Sequence, residues 1–442
     1  MAGALLTDLY ELNMAASYLK RGMTASATFS LIVRELPRGW GFLVACGLER
    51  CLEYLEHLSF EPDDLAYLEE TQGYPAETLD ALGELRFTGD VVAVPEGRIV
   101  FADEPLLEVT APLPEAQIAE TYLLNQLTYQ TAVASTAARC RIAAPGKDLV
   151  DFSFRRVHGG EAGFGVARAT AISGFSATSN VAAARWLGLR ATGTMAHSYV
   201  EAFPSEAEAF RAFAADFPDR VILLVDTYDT LRGVQRAIDV GRELRDRGER
   251  LLAIRLDSGD FAALSREARA MLDTAGLADV RILASGGLDA RAIAALAGSP
   301  IDAFGVGSKV GVAHEAPFLD SVYKLVDYDG RPVAKLSTHK ETLPGRKQAW
   351  RLPGFGGDLL GLREEDGPHR AEPLLEPVMR GGRRITGDGL AEARDRFASE
   401  LAALPERLRS LDAEPERVER SPGLEALTRD VRGAIEQREL SP

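Results

Sequence analysis

Short apolar runs that end in glycine or a polar residue recur along the middle of this 442-residue chain at nearly constant spacing. The runs at 221–225, 251–254, 280–284 and 301–304 lead into Asp226, Arg255-Leu256-Asp257-Ser258-Gly259-Asp260, Ser285-Gly286-Gly287 and Gly305-Val306-Gly307-Ser308-Lys309. Upstream, the run at 149–154 ends at Arg155-Arg156, and Leu187-Gly188-Leu189 leads to Gly193-Thr194-Met195-Ala196-His197. From His197 the steps are 29 residues to Asp226, 29 to Arg255, 30 to Ser285 and 22 to Gly307. Each step has the length of one strand plus one helix, and the stretches 230–247 and 261–275 between runs carry apolar residues three and four apart. Repetition of that unit implies an α/β chain with a parallel sheet. Reactive residues at successive strand ends fit a (β/α) barrel whose site is built from the strand-to-helix loops, with a doubly wound open sheet as the alternative.

Composition narrows the function classes. Apolar residues make up 46% and charged residues 26% of the chain, the balance of an ordinary globular enzyme. No apolar run approaches the roughly 20 residues that span a bilayer, and the start lacks a basic segment followed by an apolar one, so a cytoplasmic protein without membrane partners is expected. The net charge of −16 argues against nucleic acid, because phosphate backbones are held by a surplus of Lys and Arg. An anionic substrate must then find a local basic pocket, which singles out Arg139, Arg141, Arg155, Arg156, Arg255 and Lys309. Cys46, Cys51 and Cys140 have no paired spacing and read as buried small side chains.

The first hundred residues break the rhythm. A helix to Tyr18, a strand over 27–33, a helix over 47–56 and short strands between 89 and 110 form a smaller, mostly β domain over 1–114. A long helical pattern over 115–144 opens the barrel domain, taken as 115–345. Two strands, 321–327 and 332–336, flank a Tyr328-Asp329-Gly330-Arg331 turn. The segment 346–442 packs on the N-terminal domain; from 387 it reads as helical, with Leu401, Leu404, Leu408 and Leu411 on one face.

The polar residues at the strand ends suggest chemistry. Arg155 and Arg156 beside Gly159-Gly160 suit a phosphate or pyrophosphate, since glycines let backbone amides approach an anion. Gly286 and Gly287, then Gly307 and Ser308, occupy late loops where barrels hold phosphate. Asp226 and Asp257 either orient a histidine, touch a magnesium-bound diphosphate or ribose, or cap helices.

The ordered set Thr7-Asp8-Leu9-Tyr10, Asp151-Phe152-Ser153-Phe154-Arg155-Arg156 with His158-Gly159, Gly193-Thr194-Met195-Ala196-His197-Ser198, Asp226-Thr227-Tyr228-Asp229, Arg255-Leu256-Asp257-Ser258-Gly259-Asp260 and Val322-Tyr323-Lys324-Leu325 closely resembles nicotinate phosphoribosyltransferase, from residue 7 to about residue 350. The resemblance implies a (β/α) barrel of the type II phosphoribosyltransferase kind beside an α+β N-terminal domain. It implies transfer of phosphoribose from phosphoribosyl pyrophosphate to nicotinate, coupled to ATP hydrolysis and assisted by Mg2+, the first step of NAD salvage from nicotinate. His197 becomes the phosphorylated histidine, with Asp226 the carboxylate that fixes its tautomer. Tyr10, Phe152, Thr194 and Arg255 fall at the nicotinate; an arginine can grip a planar carboxylate with two prongs. Arg139, Arg155, Asp257, Gly286, Gly287, Gly307 and Ser308 fall at phosphoribosyl pyrophosphate, with Lys309 adding a phosphate contact. Which carboxylate touches magnesium stays open. Nicotinamide-using relatives carry an acidic residue where this chain has Met195, which favours the acid as substrate. A nicotinamide enzyme or a non-catalytic nucleotide-binding relative are the alternatives. The family also implies a homodimer in which Tyr10 acts across the interface.

Overall fold

The computed structural model describes residues 3–337, 341–387 and 389–440; the outermost residues of the expected first and last segments lie outside them. The chain divides into two compact units, one formed by Met1–Ser135 with Ala316–Pro442 and the other by Thr136–Glu315.

The second unit carries the repeat. Its strands β1 (Asp148–Asp151), β2 (Ala177–Thr178), β3 (Arg190–Ala191), β4 (Val221–Leu224), β5 (Leu251–Leu256), β6 (Arg281–Ser285) and β7 (Ala303–Val306) form one seven-stranded sheet. Their order is β3-β2-β1-β7-β6-β5-β4, and every pairing is parallel. First strand pairs with last, Asp151 opposite Val306, as in a ring. Among the described residues no pairing joins β3 to β4, so the ring is a barrel opened at one seam. Leucine, isoleucine and valine dominate β4 to β6 and are mostly buried, as strands covered by helices require.

The turns repeat one device. Asn180, Ser205, Asp229, Asp260 and Asp289 each precede a helix and accept a hydrogen bond from the backbone N–H three residues on. Such a cap contributes about 1 kcal/mol and fixes where the helix starts. Asp226 is therefore no cap; that part belongs to Asp229, three residues later. The residues between strand end and cap are left to line the mouth of the barrel.

The first unit is built from both ends of the chain. Its larger sheet places Ser321–Tyr328 antiparallel to Ser26–Val33, which pairs in turn with Pro105–Pro112; that strand pairs with Asp90–Ala93, and Asp90–Ala93 with Glu376–Arg380. This differs from a barrel domain running to 345: Ser321–Tyr328 buries Tyr323 against Phe29, with stacked rings 4.8 Å apart, so it belongs with the N-terminal sheet. The division likewise falls inside the helix Glu120–Ala143 rather than at its start. The tail departs from one helical stretch. Leu390–Ala403 is helical and stops before Pro405, whose missing N–H cannot continue it; Leu404 and Leu408 are buried beyond that break. A single helical turn at Glu406–Leu408 and a helix at Pro422–Ile435 follow. All three cysteines are buried thiols outside any disulfide.

Candidate active site

The barrel unit converges on Arg255 near the end of β5. Its Nε donates to Ser285 Oγ (2.8 Å), Nη1 to Thr194 Oγ1 (2.8 Å) and the Met195 carbonyl (3.3 Å), and Nη2 to Asp257 Oδ1 (2.7 Å). The guanidinium carbon lies 5.7 Å from the centroid of the Phe152 ring, within range of a cation–π attraction. Four expected residues, Arg255, Thr194, Phe152 and Asp257, are thus one contact group. A guanidinium has five N–H groups, so among the described residues one, on Nη2, is left without an acceptor. The expected two-pronged grip on a carboxylate is corrected accordingly: with Ser285 and Asp257 in place, Arg255 offers a single donor and its charge.

Asp257 sits between two functions. Oδ1 accepts from Arg255 and from the Ser285 hydroxyl, while Oδ2 lies 3.9 Å from His197 Nε2. Burial alone would raise its pKa, but the hydrogen bonds from Arg255 and Ser285 and the charge of Arg255 outweigh it and hold the carboxyl below its usual range. His197 begins the short helix His197–Glu201, and its Nδ1 is 3.2 Å from Thr227 Oγ1. The expected His197 partner, Asp226, is corrected here. Its Oδ2 accepts from the backbone N–H of Asp257 (3.1 Å) and from Ser258 Oγ (2.5 Å), so Asp226 braces the Asp257 turn while Asp257 faces the imidazole. Asp226 Oδ1 is buried and accepts no hydrogen bond from the described residues.

The expected phosphate loops follow the ends of β1, β6 and β7. Asp151 is buried and accepts from Ser153 N–H, Ser153 Oγ and Thr178 Oγ1, fixing the turn that carries Phe154–Arg156. Arg155 and Arg156 are exposed there, ahead of Gly159 (φ 114) and the helix Gly160–Ile172, which has no side-chain cap. Uncapped N–H groups and two guanidiniums favour an anion. Gly286 and Gly287 adopt φ 96 and 67; a Cβ on Gly286 would lie 2.2 Å from the Asp257 carbonyl, whereas nothing lies within 4 Å of one on Gly287. Gly307 precedes the short helix starting at Ser308, and both are half-buried.

Other expectations fare differently. Arg139 is buried and donates to Glu315 (3.0 Å), which makes it a pillar of the barrel unit rather than an open phosphate contact. Lys309 is paired with Asp289 (2.5 Å), so its charge is already used. Tyr10 lies in the other unit, exposed on the helix Leu9–Lys20; burial and the Glu120 and Glu11 carboxylates raise its phenol pKa. Thr227, beside His197, and Ser285, between Arg255 and Asp257, join the site through contacts across the mouth that sequence spacing does not reveal. Among the described residues no group of three or more His, Cys, Asp or Glu is placed to hold a metal ion.

Parallel strands carry an Arg–Asp–His set and glycine-rich loops at their carboxyl ends, and comparison with known proteins gives the family. Residues 5–128 match the nicotinate phosphoribosyltransferase N-terminal domain and residues 148–349 the nicotinate phosphoribosyltransferase family model; the chain belongs to that family. The pncB2 nicotinate phosphoribosyltransferase of Mycobacterium tuberculosis (strain H37Rv) is 48% identical over 420 residues, covering 93% of this chain and 89% of its own. That of Bacillus subtilis (strain 168) is 44% identical over 377 residues, 82% and 76% of the two chains. The crystal structure of human nicotinic acid phosphoribosyltransferase superposes with a TM-score of 0.87 at 30% identity, over 96% of this chain and 99% of the other. Nicotinate-nucleotide pyrophosphorylase from Pyrococcus furiosus gives 0.76 at 26% identity, over 90% and 95%.

Proposed function

We propose that the protein transfers phosphoribose from phosphoribosyl pyrophosphate to nicotinate, giving nicotinate mononucleotide and pyrophosphate, with ATP hydrolysed to ADP and phosphate through His197. The observation that carries this reading is the contact group in which Arg255 joins Thr194, Asp257 and the Phe152 ring while Asp257 reaches toward His197. A cation over an aromatic face makes a slot for a planar anion: the pyridine ring stacks on Phe152 and its carboxylate meets the remaining Arg255 N–H. Met195 supports the acid over the amide, since its side chain brings no carboxylate to repel nicotinate. In the transfer the pyridine nitrogen bonds to the ribose C1 as the C1–oxygen bond to diphosphate breaks, so the site must position the partners and stabilise anionic charge. Arg155, Arg156 and the Gly286, Gly287, Gly307 and Ser308 loops supply that. In the ATP step an imidazole nitrogen of His197 takes the γ-phosphoryl group as the bond to ADP breaks, and Asp257 stabilises the ring's positive charge.

Magnesium, when bound with the diphosphate, neutralises leaving-group charge. The donor set fits an ion that arrives mostly ligated by substrate oxygens, because Asp226 Oδ1 is a hard, unpartnered oxygen but no protein cage surrounds it. A homodimer, with Tyr10 serving the pyridine ring across the interface, and a cytoplasmic location complete the proposal. No helix of the described residues is long and apolar enough to cross a membrane. The test incubates purified protein with phosphoribosyl pyrophosphate, magnesium and either nicotinate or nicotinamide, with and without ATP. Product from nicotinate, stimulated by ATP, is expected; product from nicotinamide alone overturns the substrate. His197→Ala should abolish ATP hydrolysis and leave slow ATP-independent transfer. If ATP still stimulates that variant, His197 is not the phosphoryl acceptor.

A further inference from the structure

Ser285 is buried at the end of β6. Its hydroxyl accepts from Arg255 Nε (2.8 Å) and donates to Asp257 Oδ1, which also accepts from Arg255 Nη2 (2.7 Å). Nε and Nη2 form one edge of a guanidinium, the edge a carboxylate can chelate with both oxygens. Here only Oδ1 occupies that edge. The place of the second oxygen is taken by Ser285 Oγ, and Asp257 Oδ2 is left 3.9 Å from His197 Nε2.

We propose that Ser285 is a positioning residue whose hydroxyl, lodged between Arg255 and Asp257, prevents a two-pronged pair and so divides the Asp257 carboxylate between the arginine and His197. The backbone of Asp257 cannot adjust in its stead. Its N–H is held by Asp226 Oδ2 at 3.1 Å, and its carbonyl closely abuts Gly286, where a Cβ would stand 2.2 Å away. Only the side-chain torsions are free to respond. Without the hydroxyl, Arg255 Nε–H is left in a buried place without an acceptor, which costs roughly 1–3 kcal/mol. The nearest remedy is rotation of Asp257 until both its oxygens face that edge. The rotation removes Oδ2 from His197 and sets both carboxylate oxygens against the guanidinium, neutralising its charge more fully, so one substitution weakens both the support of the imidazole and the attraction for a pyridine carboxylate. The second consequence rests on the nicotinate reading above; the first does not.

Ser285→Ala removes a single oxygen from a packed position and adds no atom that could clash. Its crystal structure should place Asp257 Oδ2 on Arg255 Nε. The His197 imidazole, followed by nitrogen NMR at fixed pH without any substrate, should show a displaced Nε2 resonance relative to the unmodified protein, because the carboxylate that faces this nitrogen has moved away. Calorimetric nicotinate affinity should fall roughly tenfold. Ser285→Cys, with a weaker acceptor, should lie between the two, and it stands in if the alanine variant does not fold. A His197 Nε2 resonance unchanged in a folded variant, or Asp257 Oδ2 still beside His197, overturns the proposal. Failure of the unmodified protein to bind nicotinate would instead overturn the substrate reading, while the His197 resonance still decides the role of Ser285.

Discussion

Arg255 is more fully engaged than a residue waiting for a substrate would be, because four protein acceptors already share its guanidinium. Arg255→Lys separates charge from geometry. An ammonium keeps the positive charge but cannot span Ser285, Thr194 and Asp257 at once. Losing one charge-assisted hydrogen bond costs about 1.5–3 kcal/mol, so the KM for nicotinate should rise roughly 10- to 100-fold with a smaller change for phosphoribosyl pyrophosphate. An equal rise for both would place Arg255 outside the pyridine slot. The substitution also has a pH signature. Asp257 is held low in the folded protein, so its stabilisation is present above its unfolded pKa, near 3.9, and is lost as pH falls through the folded value. The stability gap between unmodified and Arg255→Lys protein should therefore narrow below about pH 4 in urea titrations. Spacing alone made Arg255, Asp257 and His197 legible, since each stands just past an apolar run. It could not say that Asp257 rather than Asp226 faces the imidazole, because both precede a cap by three residues and only the fold decides which turn leans inward.

At the scale of the element, β7 illustrates how a glycine can serve packing where sequence suggests a ligand loop. Gly305 lies within the strand, and a Cβ there would stand 2.4 and 2.5 Å from two carbons of the Phe152 ring and 3.1 Å from the Ser285 Cβ. Its absent side chain is the space the ring occupies. Gly305→Ala should displace Phe152 at an overpacking cost of about 1–3 kcal/mol, read as a lower urea midpoint, and should raise the KM for nicotinate more than that for phosphoribosyl pyrophosphate. An unaltered midpoint and unaltered KM would mean that the ring sits there by accident of packing. The strand-plus-helix rhythm was legible because parallel strands and their covering helices each impose a period. The cross-mouth contacts were not, since Phe152 and Gly305 are 153 positions apart in the chain and meet only because the first strand of the ring pairs with the last.

At the scale of the whole molecule, the chain enters one unit, leaves to build the barrel and returns, so residues more than 250 positions apart must find each other. Arg351 donates to the Ile99 carbonyl (2.8 Å) and pairs with Asp358 (2.7 Å), and Glu400 accepts from Ile99 N–H. Arg98 is buried beside the same Glu400. Within this cluster Glu104 is fully enclosed: burial and the neighbouring Asp358 carboxylate push its pKa well above the usual range, and Arg351 offsets only part of that. A carboxyl raised in this way keeps a proton in the folded chain that the unfolded chain has released above its ordinary value near 4.3. The folded state then binds more protons, so this group's contribution falls as pH rises, by up to about 1.4 kcal/mol per pH unit between the unfolded and folded values. Glu104→Gln removes the titration while keeping an oxygen for the Phe101 N–H, which Glu104 Oε2 now accepts at 2.7 Å. Urea midpoints from pH 5 to 7 should therefore shift steadily in favour of the glutamine variant. A constant difference across that range would mean that Glu104 is ionised in the folded protein, and the cluster would then be a balanced ion-pair network in which Arg351 and Arg98 fully compensate the carboxylates of Glu104, Asp358 and Glu400.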